Sequence, residues 1–339
     1  MGVDLSDVVP RVERRLEDFQ GKTIAIDGQN ALYQFLSSIR QPDGTPLKDR
    51  KGRVTSHLSG LLYRTANLVE AGIRPVYVFD GRPPELKRAT IEERRERKAK
   101  AEAEMQEALE EGDTARAFSK AQQTSHLSRE MVEESKQLLA ALGIPAVQAP
   151  GEGEAQAAHM AARGHVWAAS SQDYDALLFG APRLVRNLAV TGKRKLPGKS
   201  IWVDVSPEVV ELESVLKELG VTREQLVDAG ILVGTDFDPG VKGVGPKRAV
   251  KLVRDKGLLV DVLTFLEADV PEADQIREIF LKPEVADGYD LAFRPLDEAR
   301  VRDLLVREHD FGEDRVKATF PRYAKLHEAL KQRSLDAFF

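Results

Sequence analysis

The chain has 339 residues, of which 42% are hydrophobic and 31% charged, enough for one large domain or two ordinary ones and too apolar to stay disordered. It contains no cysteine, which excludes disulfides, thiolate zinc sites and a cysteine nucleophile, and no apolar run nears the ~18 residues that span a membrane. The formal net charge of −5 argues against a nucleic-acid partner only on average, because the basic residues are gathered into a few segments.

Taken from the amino terminus, TIAIDG (23–28) and PVYVFDG (75–81) are short β-branched and aromatic runs ending in Asp-Gly, and they predict buried strands. VWAASSQD (166–173), RLVRNL (183–188) and SIWVDV (200–205) predict three more. Helical patterns separate them at Val54–Ala71, Arg129–Leu142 and Glu154–Arg163. Strands alternating with helices indicate an α/β fold with a mainly parallel central sheet flanked by helices. In such a sheet, sites gather beyond the carboxyl ends of the strands, where Asp27, Asp80 and Asp173 fall. Between Glu85 and Ser128 the chain is charge-rich and helix-forming with few apolar anchors, broken near Gly112 and Asp113. That pattern predicts a solvated helical arm or a lid, ordered on binding. After Asp204 the pattern is mostly helical to about Leu266.

The basic residues fall in three clusters. Lys87 to Lys100 holds seven basic and three acidic residues, and Lys242 to Lys256 holds six basic and one acidic. Lys193, Arg194, Lys195 and Lys199 make the third. A phosphate backbone meets this local field rather than the net charge. Any one cluster alone is more simply a solvated helix face.

Seven acids stand out: Asp27, Asp80, Glu152, Glu154, Asp173, Asp175 and Asp236 all follow apolar runs or occupy helix starts. A lone strand-end Asp is usually a turn former or a helix cap. Seven of them at one end of a sheet would repel one another and raise their pKa values, a penalty that bound cations remove. Oxygen ligands favour magnesium or manganese over zinc. Asp173 and Asp175, two apart on an extended segment, would face one way. Glu152 and Glu154 lie in PGEGEAQAA (150–158), at a helix entrance where both can face one pocket. Two metals about 4 Å apart suffice for in-line phosphodiester displacement, with no serine, cysteine or histidine nucleophile.

VFDGRPPELKR (78–88), PGEGEAQAA (150–158), SSQDYDALLFG (170–180) and GTDFDPGVKGVGPKRA (234–249) resemble the signature blocks of the flap endonuclease branch of the XPG/Rad2 nuclease family, in family order and over essentially the whole chain. The resemblance implies a 5′ nuclease core with a helical arch and a helix–two-turn–helix element. It divides the chain into an N-terminal nuclease region (1–105), an arch (85–128), an internal region (116–260) that includes the hairpin element (234–256), a C-terminal helical region (261–330) and a tail (331–339). It implies that the seven acids hold two Mg²⁺, with Mn²⁺ able to substitute: Asp27, Asp80 and Glu154 at one ion, Asp173, Asp175 and Asp236 at the other. Lys87 and Arg94, seven apart on one predicted helix face, match its catalytic cations. Tyr33 matches an aromatic that stacks on the junction base, and Arg40 and Arg64 match DNA contacts. Glu152, Gly234 and Asp236 also match positions at the DNA.

GVKGVGPKRAVKL (240–252) is a glycine-rich hairpin between two helices. Gly243 and Gly245 allow close approach of backbone amides to a phosphate, and Lys242, Lys247, Arg248 and Lys251 add charge. The family element also holds a monovalent cation, K⁺. At the tail, Gln332, Leu335, Phe338 and Phe339 fit Q-x-x-L-x-x-F-F, which in a 3₁₀ turn makes an apolar plug for the sliding clamp PCNA. One departure is Asp238, which adds an acid near the others where archaeal relatives often have Asn. The chain ends at the clamp motif, without the basic extension of eukaryotic members, which favours an archaeal source. The expected protein is therefore an intracellular, monomeric, structure-specific 5′ flap endonuclease with 5′→3′ exonuclease activity, acting in Okazaki-fragment maturation and base excision repair on flapped or nicked duplex DNA. Two alternatives stay open: a non-catalytic junction-binding scaffold recruited by the clamp, and a PIN-like ribonuclease.

Overall fold

In the computed structural model, which describes residues 2–41, 44–190, 192–195 and 202–336, the β-branched runs pair into one twisted sheet. Its strands in sequence are β1 (Val12–Glu13), β2 (Thr23–Asp27), β3 (Arg74–Phe79), β4 (Ala146–Gln148), β5 (Ala168–Ser170), β6 (Arg183–Arg186) and, last, β9 (Glu208–Glu211). In space the order is β1-β9-β6-β5-β2-β3-β4, with β6 to β4 mutually parallel and β9 and β1 antiparallel at one edge. The α/β expectation therefore stands, with two local differences. Trp202–Val205, the described part of SIWVDV, does not enter this sheet: among the described residues, this strand, β8, pairs with β7 (Gly192–Lys195) in a separate two-stranded sheet. Glu208–Glu211, inside a stretch that predicts helix, is a strand because Val209 and Val210 bury against β6.

The helices are α1 (Gly28–Ser38), α2 (Ser56–Glu70), α3 (Arg88–Glu110), α4 (Thr114–Gln123), α5 (Arg129–Ala141), α6 (Gly153–Ala162) and α7 (Asp175–Leu178). They continue as α8 (Leu212–Leu219), α9 (Arg223–Val233), α10 (Pro246–Lys256), α11 (Leu259–Leu266), α12 (Ala273–Leu281), α13 (Glu298–Arg302), α14 (Glu313–Lys317) and α15 (Phe320–Asp336). Strand alternation divides the interior. Ala25, Val76 and Val78 face α6 and α9, while Ile24, Ile26, Tyr77 and Phe79 face α2 and α5. Both faces of the parallel strands are thus covered, as all-parallel pairing requires.

Two features of this topology place the site. β2 has β3 on one side and β5 on the other, so the strand order reverses there, the kind of point at which sites gather beyond the carboxyl ends. Above that edge stands the charge-rich stretch. It is folded as a hairpin of α3 and α4, held by a seam of small residues (Ala101, Ala108, Ala117, Ala121) and by pairs such as Arg116 with Glu107 at 2.7 Å. Alanines let two polar helices approach closely, so the arm is helical without the apolar anchors whose scarcity predicts disorder. Among the described residues, no helix is long and apolar enough to cross a membrane.

Candidate metal centre and nucleic-acid interface

Asp27 ends β2 and caps α1, its Oδ1 accepting from Asn30 N at 2.9 Å. Asp80 follows β3, and its Oδ1 accepts from Gly153 N at 2.7 Å. Glu152 caps α6 with extended backbone, and Glu154 lies in its first turn, as the glycine-rich entrance predicts. Asp175 begins α7, its Oδ1 accepting from Val3 N at 2.7 Å. Backbone amides therefore fix one oxygen of each of three strand-end or helix-start aspartates. The donors to Asp80 and Asp175 are far away in sequence, which is why residue spacing gives no sign of them.

The acids converge electrically as well as spatially. Burial, then Asp80 and Asp173, pushes Asp27 well above the usual carboxylate range. Burial, then Asp175, Asp27 and Asp173, does the same to Glu154, whose Oε1 is buried without a hydrogen-bond partner. Burial followed by Glu152 lifts Asp80 to about 6, and burial followed by Asp173 lifts Asp175 to about 7. Asn30 Nδ2 approaches Asp173 Oδ2 at 3.5 Å, and Ser171 Oγ approaches Asp27 Oδ2 at the same distance. All seven acids thus form one mutually repelling set along β2, β3, β5, α6 and the loop after α9, with Asp236 helping to raise Asp80 and Asp175.

Asp236, in the loop after α9, is also tied to that set by cations. Lys87 bonds to Glu152 and lies 3.4 Å from Asp236, while Arg94 also bonds to Asp236. Burial alone would raise Asp236, but the positive charges around it, Lys87 foremost, reverse the sign and hold it low. For Lys87 burial favours deprotonation, and Glu152 and Asp236 outweigh it, so the ammonium is retained. Lys87 closes a 3₁₀ turn (Glu85–Lys87) that runs directly into α3, and Arg94 sits inside α3. Both side chains reach the same Asp236. The extended segment expected for Asp173 and Asp175 is absent, since Ser171–Tyr174 turns and Asp175 already starts a helix.

Among the described residues, no three carboxylates are drawn up around one point as ligands of a single ion. Lys87 and Arg94 occupy Glu152 and Asp236, and amides hold one oxygen of Asp27, Asp80 and Asp175. The donor set nevertheless fits hard divalent cations. It consists of carboxylates alone, one buried oxygen lacks any partner, and like-charge repulsion is what such ions relieve. Asp238 Oδ1 accepts from Gly240 N at 2.7 Å, which stabilises the turn after Asp236.

The interface residues are partly exposed. Tyr33 on α1 is 39% exposed, and Lys98 Nζ of the arch lies 4.9 Å from its ring centre. Arg40 donates to Gly44 O and Ser125 Oγ, both at 2.8 Å, and Arg64 is half-buried on α2. The hairpin runs from Gly234 (φ +108°) to Gly245, which caps α10. A Cβ on Gly234 would stand 2.5 Å from Pro239 O, so that position must be glycine. Gly243 has φ +81°, and Lys242, Lys247 and Lys251 lie on or beside α10. In the tail, α15 continues as α-helix through Asp336, so the backbone of Gln332 and Leu335 is α-helical where a 3₁₀ turn is expected. The side chains of Gln332 and Leu335, and all of Phe338 and Phe339, lie outside the described residues, as does Lys199 of the third basic cluster. Sequence reasoning misses Gln29, whose Oε1 accepts from Asp80 N at 2.9 Å, and also Asn30 and Ser171. All three adjoin a strand-end acid, the one local signal that marks them.

The elevated carboxyls carry a pH prediction. Where the folded pKa exceeds the unfolded one, the folded chain keeps a proton that the unfolded chain has released. Stability is then complete below the unfolded value, 3.8 for Asp175, and drains as pH climbs through about 7. We expect Asp175→Asn to melt several degrees above wild type at pH 8 without divalent ions, with the gap closing by pH 4. Thermal unfolding of the EDTA-treated proteins checks this, and an equal gap at both pH values contradicts it.

Comparison with known proteins agrees with this geometry. The XPG N-terminal domain matches residues 1–101 and the XPG I-region matches residues 143–236. Flap endonuclease 1 of Pyrococcus furiosus is 54% identical over 341 residues, covering 100% of this chain and 99% of that protein. Flap endonuclease 1 of Aeropyrum pernix is 53% identical over 349 residues, covering 100% of both. Among solved structures, flap endonuclease-1 from Methanococcus jannaschii aligns with TM-score 0.77 and 47% identity over 96% of this chain and 98% of that one. The catalytic core of Rad2 in complex with DNA shares the fold, with TM-score 0.69, 23% identity and coverage of 94% and 97%.

Proposed function

The chain belongs to the flap endonuclease 1 branch of the XPG nuclease family, and from that membership we propose that it cuts 5′ flaps at single-strand/double-strand junctions of DNA. The observation that carries this reading is the row of repelling acids beyond β2, β3 and β5, bridged to the arch by Lys87 and Arg94. Such an edge is suited to receive a phosphodiester together with divalent cations.

The residues take distinct parts. Asp27, Asp80, Glu152, Glu154, Asp173, Asp175 and Asp236 would hold two Mg²⁺, or Mn²⁺ in their place. When bound, the ions supply an activated water and neutralise the leaving oxygen. Lys87 and Arg94 would transfer from Glu152 and Asp236 to the scissile phosphate, stabilising charge as it develops. Tyr33 offers its ring face to the base at the junction once Lys98 moves aside. Gly243 and Gly245 amides with Lys242, Lys247 and Arg248 grip the duplex backbone without reading sequence. A K⁺ ion at this hairpin would compete with Arg248 Nη1 for Gly243 O, now 3.2 Å apart. Gly234 shapes the loop carrying Asp236. Arg64 would add a phosphate contact, and Arg40 would do so by releasing Ser125. Passage of a single strand beneath α3 and α4 would restrict cutting to strands with a free 5′ end and allow 5′→3′ exonuclease action. Gln332, Leu335, Phe338 and Phe339 would recruit the clamp, placing a monomer at Okazaki-fragment junctions and base-excision gaps.

A labelled 5′-flap duplex tests the reading. We expect magnesium-dependent incision near the junction, abolished by EDTA and restored by Mg²⁺ or Mn²⁺, with an intact linear single strand cut far more slowly. Equal cutting of junction-free RNA would favour the ribonuclease alternative. Tight flap binding with no incision in any divalent ion would favour the scaffold.

A further inference from the structure

A polar cluster apart from the seven acids sits at the end of β6. Arg186 Nε donates to Gln172 O at 3.1 Å, and Nη1 donates to Tyr174 Oη at 2.7 Å and Glu208 Oε2 at 3.1 Å. The guanidinium carbon also lies 4.4 Å from the Tyr174 ring centre. Arg11 donates to the same phenol at 3.2 Å and pairs with Glu208 at 3.6 Å. The Arg186 side chain is 18% exposed and Tyr174 only 2%. One planar cation therefore holds the residues on both sides of Asp173, and the second of them immediately precedes Asp175.

That segment needs an anchor. Residues 171–174 form a turn with no strand partner, so the sheet does not fix them. Asp173 and Asp175 carry like charge at close range, and an unsupported turn would relax by spreading them apart. A guanidinium is a rigid fork, held here from the adjacent strand because Arg186 and Glu208 are register partners. It bonds to the turn's backbone and to a buried phenol, and to neither aspartate, so it can set their separation without competing for their oxygens.

We propose that Arg186 is a positioning residue for metal binding: by holding Gln172 O and Tyr174 Oη it fixes the spacing of Asp173 and Asp175, and with it their affinity for a divalent cation. The proposal rests on the reading that this pair binds metal. It gives Arg186 no role in gripping DNA.

The test uses the full chain. Arg186→Lys keeps the charge and loses the fork, Arg186→Gln loses both, and Tyr174→Phe removes a single hydroxyl. Arg183→Gln is the control, since Arg183 lies on the same strand but pairs outward with Glu211 at 3.8 Å. Mn²⁺ binding is measured by calorimetry without DNA, and flap-duplex affinity by fluorescence anisotropy in EDTA. We expect the Mn²⁺ dissociation constant to rise about tenfold or more in both Arg186 variants. It should rise less in Tyr174→Phe and not at all in Arg183→Gln, with flap affinity unchanged throughout. Incision by Arg186→Lys should recover towards wild type as Mg²⁺ is raised, which a global loss of structure would not permit. Unchanged Mn²⁺ affinity in Tyr174→Phe and both Arg186 variants overturns the proposal, and so does a fall in flap affinity with Mn²⁺ binding intact. Should the Arg186 variants fail to fold, Tyr174→Phe alone decides. A wild-type chain that binds no Mn²⁺ would instead overturn the metal reading itself, and this inference with it.

Discussion

Asp173→Ala is expected to reduce flap incision by about 10³-fold or more while leaving flap affinity in EDTA equal to wild type or slightly higher. The magnitude follows from what is removed. Deleting one preorganised charge-stabilising group from an active site typically slows the chemical step by about 10²–10³-fold, and a metal ligand orients the ion as well as neutralising it. Asp173 stands where the strand order reverses, between Asn30 on α1 and the start of α7. It also contributes to the raised pKa of Asp27, Glu154 and Asp175, so removing it relaxes repulsion across the whole set. The folded chain should consequently be at least as stable without divalent ions. Loss of activity with gain of stability separates a functional acid from a structural one. Single-turnover rates, anisotropy and thermal melts measure the three quantities. Incision within tenfold of wild type would remove Asp173 from the reacting centre.

The acids were legible in the sequence because each strand-end aspartate is announced locally, by an apolar β-branched run and a following turn. TIAID and PVYVFD show the chain leaving a buried strand at an acid, and parallel pairing brings such ends to one edge. What sequence patterning left out is non-local. The amides that orient Asp80 and Asp175 come from Gly153 and Val3, and no period or spacing links those residues to their partners. Asp173 and Asp175 both act on Glu154, yet not by the alternation of an extended chain, since the strand stops at Ser170. Strand β8 looked like its neighbours because a separate two-stranded sheet and a buried sheet favour the same β-branched residues. The arch looked unanchored because its anchors are alanines, which helix packing uses for closeness rather than bulk.

Lys87→Ala should slow incision by about 10²–10³-fold with little change in flap affinity, and Arg94→Ala should do so to a similar or lesser degree. Both cations reach Asp236 from the arch side, and Lys87 also spans to Glu152. They now neutralise the same acids that would hold the metal ions, so ions and cations compete for those oxygens. Once ions are bound, the cations must find another anion, and the scissile phosphate is the one that substrate brings within reach. In the ion-free chain Glu152 and Asp236 hold Lys87 above its ordinary 10.5, so the cation is already charged when ions displace it. The two substitutions should not multiply. Each cation lies against Asp236, so removing one leaves the other with a less neutralised partner, and the double variant should lose less than the product of the single losses. Single-turnover rates of wild type, both single variants and the double variant complete the cycle. Strict multiplicativity would mean that Lys87 and Arg94 act at separate phosphates, each on its own, rather than as one clamp on the bond being cut.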